Sequence, residues 1–536
     1  MSLVLQYKNF TESSFAQRLT MRSGLAPAVV ALAAIPLVFV VISSGQLSTK
    51  GWLSLWTQRL PELLWNTLSL SVLVAIGCFI LGVSAAFWIS RRDFIGRKLS
   101  IWLMVLPLTV PTYVFAHIYT SLLEDEGWLG QLWHFIFGAE SIPPELYNIF
   151  GVTFVLSLAG FSYVFLLVRG ALSRSQREFE EVARLHGLNA IQVFWRVSLP
   201  LLRPAIAAGL ALVVLHTLSD FGAVSMLRYQ TFTLSIYMQM NGRDSYEAAA
   251  GLSLVLVFLS LTFLILERFF RNRQRYYGTG KTGRVELKRA TRFETIAIWF
   301  WLGLISLFSF LLPLAWMLSW SWQALVDGLI TNVFWGYVGN SLFISIAAAT
   351  ITVIIGLPVA LYHARKRNVL SQFYLHVSSV GFVLPGPVIA LGILAFVLAV
   401  MPNIYGGFIV LLLAMTIRFL PLAIQAEESA AQQLTPSIEQ AGRSLGATAW
   451  QNLHRVTLPI IKSGMMSAWV LVFIDTLKEL PATFLLRPTG FDTLPVRIWI
   501  EASEEMLELA APSALFLVIG TLPILWFLMR GESDKN

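Results

Sequence analysis

The feature that most constrains this chain is a succession of twelve apolar runs, each about as long as a bilayer-spanning helix. They cover residues 25–44, 65–90, 101–122, 149–171, 204–226 and 248–268, then 296–320, 340–362, 376–401, 404–424, 464–486 and 510–530. Crossing about 30 Å of hydrocarbon takes roughly 20 residues of helix, and only a helix satisfies its own backbone groups there. The expected fold class is therefore an all-α polytopic membrane protein with 12 transmembrane helices. Composition agrees. Of 536 residues 56% are hydrophobic and 13% charged, and mean hydropathy is +0.70, far too apolar for a soluble chain of this size.

Lys and Arg collect in alternate loops: 91–98 (RRDFIGRK), 172–203, 269–295 and 363–368 (HARKRN), whereas 123–145 has neither and carries several carboxylates. Positive loops stay inside, so both termini are expected in the cytosol of a bacterial inner membrane. The same bias explains the net charge of +8 without nucleic acid. The first apolar run follows about 24 mostly polar residues and has no clear small-residue cleavage site, so it reads as a helix rather than a signal peptide. Cys78 is the single cysteine and lies in an apolar run, which leaves no disulfide framework and no paired-cysteine metal site.

An internal repeat organises the chain. Residues 180–200 (EEVARLHGLNAIQVFWRVSLP) match 439–459 (EQAGRSLGATAWQNLHRVTLP) at an offset of 259, which continues through 217–228 and 476–487. Upstream the offset is 274, pairing 66–82 with 340–356 and Arg91 with Arg365. The halves share one plan and orientation but differ in loop length. The expected domains are 1–270 and 295–536, joined by a basic cytosolic linker at 271–294.

The repeated segments, 178–200 and 437–459, each read as a short helix broken at Gly187 or Gly446, then a second helix capped by Asn189 or Thr448. Ile191, Phe194 and Val197, matched by Trp450, Leu453 and Val456, form an apolar stripe on the second helix. Pro200 and Pro459 are expected to stop simple continuation and turn the chain back to the membrane. A docking knob fits this pattern better than an amphipathic helix lying on lipid, because lipid contact does not require the same Gly and Leu-Pro in two diverged copies.

Both segments resemble the coupling loop of permease subunits of binding-protein-dependent ABC importers: Glu-Ala-Ala, three residues, Gly, nine residues, Ile, one residue, Leu-Pro. The first reads Glu181-Val182-Ala183, Gly187, Val197, Leu199-Pro200, and the second Gln440-Ala441-Gly442, Gly446, Val456, Leu458-Pro459. Glu180, Arg184, Glu439 and Arg443 complete the ATPase-coupling residues that the resemblance implies. Gln440 departs from the motif, though Glu439 stands beside it. The fused arrangement and the stretches 218–240 and 476–499 look most like ferric iron permeases, with thiamine permeases next. The resemblance implies MetI-like permease domains, two cytosolic ABC ATPase subunits, a periplasmic substrate-binding protein and alternating access. The chain itself is then no enzyme and binds no cofactor; ATP belongs to the partner subunit.

Ionisable groups inside hydrocarbon are functional candidates by default. His216 and Asp220 in the fifth run match Asp475 and Glu479 in the eleventh, each pair four residues apart on one helical face. Hard carboxylate oxygens suit Fe(III), so Asp220 and Glu479 are candidates for the outer gate of the permeation path. The alternative is helix packing, with Lys478, Arg228, Arg487 or interfacial water as partners.

The sequence GTGKT at 278–282 ends like a phosphate-binding loop, but Arg275 stands where a Walker A motif needs Gly. Histidines are scattered, so no metal site or nucleophilic triad is assigned. An ion-driven secondary transporter also fits twelve helices in parallel halves, but such a carrier has no ATPase to hold. The scarcity of intramembrane His and carboxylate clusters speaks against a membrane enzyme.

Overall fold

Apolar runs bounded by Gly, Pro and charge become helices, and in the computed structural model nearly every described residue is helical. The structure describes residues 24–174, 177–242, 245–272, 287–366, 368–432, 434 and 436–533. The GTGKT stretch and most of the linker lie outside the described residues.

The first half contains α1 (Leu25–Gly45), α2 (Thr49–Gln58), α3 (Leu60–Arg91), α4 (Arg97–Val105), α5 (Thr112–Leu123), α6 (Trp128–Phe137), α7 (Ile149–Arg174), α8 (Arg177–Leu185), α9 (Ala190–Val193), α10 (Leu199–Ser219), α11 (Gly222–Met226), α12 (Phe232–Gly242) and α13 (Tyr246–Asn272). The second contains α14 (Arg292–Ser306), α15 (Leu312–Val326), α16 (Asn332–Arg365), α17 (Val369–Ser378), α18 (Val380–Val383), α19 (Gly386–Val400), α20 (Phe408–Ala431), α21 (Pro436–Ser444), α22 (Ala449–Asn452), α23 (Leu458–Leu477), α24 (Pro481–Leu486), α25 (Leu494–Ser503) and α26 (Leu507–Ser533). Short strands β1 (Arg92–Asp93) and β2 (Lys288–Arg289) pair in parallel, tying the end of the linker to the end of α3.

All twelve expected runs are helical, but they are not twelve straight spans. Among the described residues nine helices are long and apolar enough to cross a membrane, or ten if the pair 97–109 and 112–123 counts as one. That pair bends by 97°. Pro111 supplies no N–H and Val110 before it is extended, so the third run cannot continue as one helix. The ninth run breaks before Pro385, leaving α19 with 15 residues. The fifth and eleventh runs end early, at Ser219 and Leu477, and α11 and α24 follow as separate short helices.

Each half is built around three mutually packed helices, α3, α7 and α10 in one and α16, α20 and α23 in the other. The halves exchange their first helices. Helix α1 packs on α19, α17 and α16 of the second half, where Gly392 meets the backbone of Pro36 and Phe39 sets its ring 5.3 Å from Phe396. In return α14 and α15 reach the first half through Trp299 Nε1 to Ile95 O at 2.8 Å, Trp301 Nε1 to Ser84 Oγ at 3.0 Å and Trp316 Nε1 to Ser121 Oγ at 3.2 Å. A single chain thus interlocks its two domains.

The change of offset has a structural location. Helix α6 and the loop after it, between α5 and α7, correspond to only a short connection between α19 and α20.

Candidate functional site

The two repeated segments adopt the same geometry. Gly187 and Gly446 sit at φ 84° and 81°, a conformation costly for most side chains, and nothing lies within 4 Å of where a Cβ would stand. The turn, not crowding, requires glycine. Leu188 N–H donates to Ala183 O and Ala447 N–H to Gly442 O, closing the first helix of each segment in a Schellman turn. Asn189 and Gln192 then cap the second helix reciprocally, at 2.8 and 3.0 Å, as Thr448 and Gln451 do at 3.3 and 2.9 Å.

Two expectations change here. Pro200 and Pro459 do not stop the helix: π turns at Phe194–Ser198 and Leu453–Thr457 precede them, with Leu199 N–H donating to Phe194 O and Leu458 N–H to Leu453 O. Lengthening the hydrogen-bonded ring by one residue carries the helix past a proline that has no N–H to give. The same device precedes Pro313, at Leu307–Leu311. The π turn also re-aims the apolar stripe. Phe194 and Val197 are half-buried, with Phe194 5.1 Å from Phe87 of α3. Of the expected stripe Trp450 is exposed, and the side chain of Ile191 lies outside the described residues; the other exposed apolar side chains are Phe179, Val182, Leu185 and Trp195 in the first segment and Ile438 and Leu445 in the second.

Glu180 is buried, 7% exposed, and its carboxylate accepts from Arg91 of α3 and, at 2.7 Å, from Ser198 Oγ. Neighbouring Arg184 is exposed. In the second segment Arg365, the counterpart of Arg91, donates to Leu434 O at 2.6 Å. Leu199, Val456 and Leu458 are half-buried at the start of the membrane helices, and Gln440 and Ala441 are exposed. The side chains of Glu181, Glu439 and Arg443 lie outside the described residues.

The second set of candidates lies where the helices break. Asp220 caps α11: its Oδ1 accepts from Ala223 N–H at 3.0 Å, and Thr112 Oγ1 donates to its Oδ2 at 2.5 Å. Glu479 caps α24 in the same way, accepting from Ala482 and Thr483 N–H at 3.0 and 2.9 Å. Gly386 takes the place of Thr112 in the second half, and Arg418 of α20 fills that space, with Nε 3.7 Å from Glu479 Oε1. The four residues thus split by role. Asp220 and Glu479 are buried caps, whereas His216 is exposed between buried Leu215 and Thr217, and the Asp475 side chain is 43% exposed.

His216 and Asp475 belong to one polar zone between the halves. His216 lies in the field of Lys478 and Arg418, and Asp475 acts on Tyr163, whose ring is 5.8 Å from that of His216. Lys478 Nζ is 3.9 Å from Asp475 and donates to Leu108 O of the other half at 3.0 Å. Beside the breaks, Phe221 and Tyr237 pack on Phe484 and Trp499, and Trp499 Nε1 donates to Ser225 Oγ at 3.1 Å, which seals the halves together. Arg418 and Tyr163 escaped the sequence reading, although Arg418 interrupts an apolar run and carries the same intramembrane-charge signal as Asp220. Among the described residues no three His, Cys, Asp or Glu side chains converge to hold a metal.

Interlocked halves carrying two matching helix–glycine–helix segments define a duplicated helical membrane protein, and its class follows from the family it matches. The family described as binding-protein-dependent transport system inner membrane component matches residues 78–276 and 353–530, and the chain belongs to it, with the domain present twice. The chain is 31% identical to the Fe(3+)-transport system permease protein FbpB 2 of Haemophilus influenzae, over 94% of this chain and 96% of that protein. It is 27% identical to the putative ferric transport system permease protein FbpB 1 of the same organism, over 82% of this chain and 72% of the relative. It is 26% identical to the ferric transport system permease protein FbpB of Actinobacillus pleuropneumoniae, over 87% and 71%.

Proposed function

We propose that this chain is the membrane channel of an ATP-driven importer for ferric iron. It passes cargo from a periplasmic binding protein to the cytosol by alternating access. The observation that carries this reading is the pair of matching segments 178–200 and 437–459, each presenting exposed apolar side chains beside exposed polar ones on a surface not needed for packing. Each segment receives one ATPase subunit through its exposed side chains, Phe179, Val182, Arg184, Leu185 and Trp195 in the first and Ile438, Gln440, Ala441, Leu445 and Trp450 in the second, together with Glu181, Glu439 and Arg443 of the motif, while Glu180, Ala183, Gly187, Val197, Leu199 and Pro200, and Gly446, Val456, Leu458 and Pro459, shape the segments that present them. ATP and its hydrolysis belong to those subunits, and this chain holds no cofactor. Basic loops at the segment-bearing end support placing that end, and both termini, in the cytosol. The permease domains are then 1–270 and 295–536, with the linker 271–294 on the same side.

The cargo path runs between the halves along His216 and Asp475, with Asp220 and Glu479 holding the ends of the broken helices in place. The aromatic cluster at Trp499 is the outer gate in its closed state. Iron as cargo is supported by the relatives named above, and thiamine or another small solute is the second reading within the class. Two measurements test the proposal. Purification of the tagged chain from its native membrane is expected to recover an ABC ATPase dimer; transport by the chain alone would favour an ion-driven carrier. Proteoliposomes with ATPase and binding protein are expected to take up radioactive ferric iron in an ATP-dependent way, and uptake of thiamine instead would reassign the cargo.

A further inference from the structure

Besides α6, the outer ends of the two halves differ at a second place. Aligning Glu247-Ala-Ala-Ala-Gly251 at the start of α13 with Glu508-Leu-Ala-Ala-Pro512 at the start of α26 puts Gly251 opposite Pro512. In the first half this position is covered by the chain itself: a Cβ on Gly251 would stand 3.3 Å from Leu47, Trp52 and Leu55 of the α1–α2 corner. In the second half the connection from α15 to α16 is only 327–331 and has no counterpart of α2. Pro512 there borders a half-open cleft of about 160 Å³, walled by Phe334 and Leu509 and by the polar groups of Tyr337, Arg497, Glu501 and Glu508.

The polar wall has a surplus of negative charge. Arg497 donates to Glu501 Oε1 at 2.8 and 3.1 Å, sits 5.0 Å over the Tyr337 ring, and is also shared with Asp492 at 3.6 Å. Glu501 is 4% exposed, yet its Oε2 has no hydrogen-bond partner. A buried carboxylate oxygen without a donor is costly, so Glu501, which lines this cleft, is left short of one donor. Glu508, half-buried, makes no ion pair among the described residues. Glu504 and Glu505 stand exposed just before α26, and Glu505 lies in the field of Glu124 from the first half. Like charges gathered from both halves at one end would repel an anion and draw a cation.

We infer that the cleft is a docking socket for one lysine or arginine side chain of the periplasmic binding protein, resting on the importer reading above. The cationic head would pair with Glu501 Oε2 and Glu508 in charge-assisted hydrogen bonds, and its methylene stem would lie along Phe334 and Leu509. The first half, closed by Trp52 and Leu55, offers no such socket. The binding protein therefore docks in one orientation on a pseudo-symmetric platform, and the socket fixes which part of its surface faces the second half.

The test uses the full chain with its ATPase in nanodiscs and measures the affinity of the purified binding protein by biolayer interferometry. The double variant Glu501→Gln/Glu508→Gln is expected to weaken binding at least tenfold, and Glu504→Gln, which removes only a solvent-screened charge outside the cleft, to weaken it less than twofold. Because Glu501→Gln disturbs Arg497, a second variant, Glu508→Lys at the edge of the cleft, is measured alone. It is expected to weaken binding at least as much and to be rescued by a Lys→Glu or Arg→Glu reversal on the binding protein. Unchanged affinity in Glu508→Lys overturns the inference while leaving the importer reading intact. A phospholipid held by the wild type and lost in the double variant, with affinity unchanged, also overturns it by assigning the cleft to lipid. If the wild type captures no binding protein at all, the importer reading itself fails.

Discussion

Arg91 at the end of α3 and Glu180 at the start of the first repeated segment form a buried ion pair, with Ser198 Oγ hydrogen-bonded to the same carboxylate at 2.7 Å. One carboxylate therefore joins three stretches of chain: α3, α8 and the π turn before α10. Glu180→Ala would leave Arg91 buried and unpaired, which costs about 3–5 kcal/mol when a buried partner is removed. The expected outcome is a clear fall in the melting temperature of the purified chain and a loss of ATP-driven uptake. Glu180→Arg with Arg91→Glu is expected to restore part of both, and a single variant as stable as the wild type would show that the pair does not hold the segment.

The two segments solve one packing problem differently. Ala183 and Val193 in the first correspond to Gly442 and Asn452 in the second, and a Cβ on Gly442 would meet Asn452 Oδ1 at 2.4 Å. Asn452 is 1% exposed, so it has little room to retreat. Gly442→Ala alone is expected to destabilise, and Gly442→Ala/Asn452→Val to recover at least ~1 kcal/mol of that loss, because contacting residues couple by ~0.5–3 kcal/mol. Chemical denaturation of the four members of the cycle measures it; strict additivity would refute the pairing.

Gly187 and Gly446 offer a cleaner case, since no neighbour would touch a Cβ at either. Replacement by Ala is expected to cost about 1–2 kcal/mol from the left-handed backbone alone. Asn, which tolerates that conformation, is expected to cost less. An equal penalty for Ala and Asn, read from melting curves, would contradict a purely conformational origin.

Glu427 of α20 is fully buried against Gly356 of α16, and neither carboxylate oxygen has a hydrogen-bond partner. Its counterpart at the repeat offset is Val168, equally buried in α7. Removing an unsatisfied buried group while keeping its shape is neutral or stabilising. Glu427→Gln and Glu427→Met are therefore expected to melt at or above the wild-type temperature. A loss of stability in both would mean that the carboxylate has a partner in the membrane.

The sequence carried the parts of this fold that depend on short-range rules. Apolar length marked where helices lie, Gly187 and Gly446 marked turns, and the repeat placed Asn189 opposite Thr448 before any contact was known. Three-dimensional facts were less legible. The π turns before Pro200, Pro313 and Pro459 look in one dimension like helix ends, because proline's missing N–H is visible and the widened turn that absorbs it is not. The exchange of α1 and α14 between halves leaves no periodic signature. His216 and Asp220 share a helical face by spacing, yet the helix ends between them, so one faces an accessible zone and the other caps α11. Spacing on an ideal helix could not show that break.

Accessibility of His216 tests the path directly, and the chain suits the experiment because Cys78 is its only cysteine and is buried. In a Cys78→Ser background, His216→Cys is expected to react with a membrane-impermeant maleimide added at the cytosolic side of oriented vesicles and to resist the same reagent outside. The proposed barrier is the cluster of Phe221, Tyr237, Phe484 and Trp499, in which Phe484 and Trp499 lie 4.6 Å apart and Trp499 is hydrogen-bonded across the halves to Ser225. Trp499→Ala removes the ring that touches all the others and the cross-half hydrogen bond. It is expected to raise labelling from outside at least tenfold without changing labelling from within. Asp475→Cys, at the matching position of the second half, is expected to follow the same pattern, as the proposed path between the halves requires. Labelling of His216→Cys from the outside in the wild-type gate would place the closure elsewhere, and resistance from both sides would remove His216 from the path.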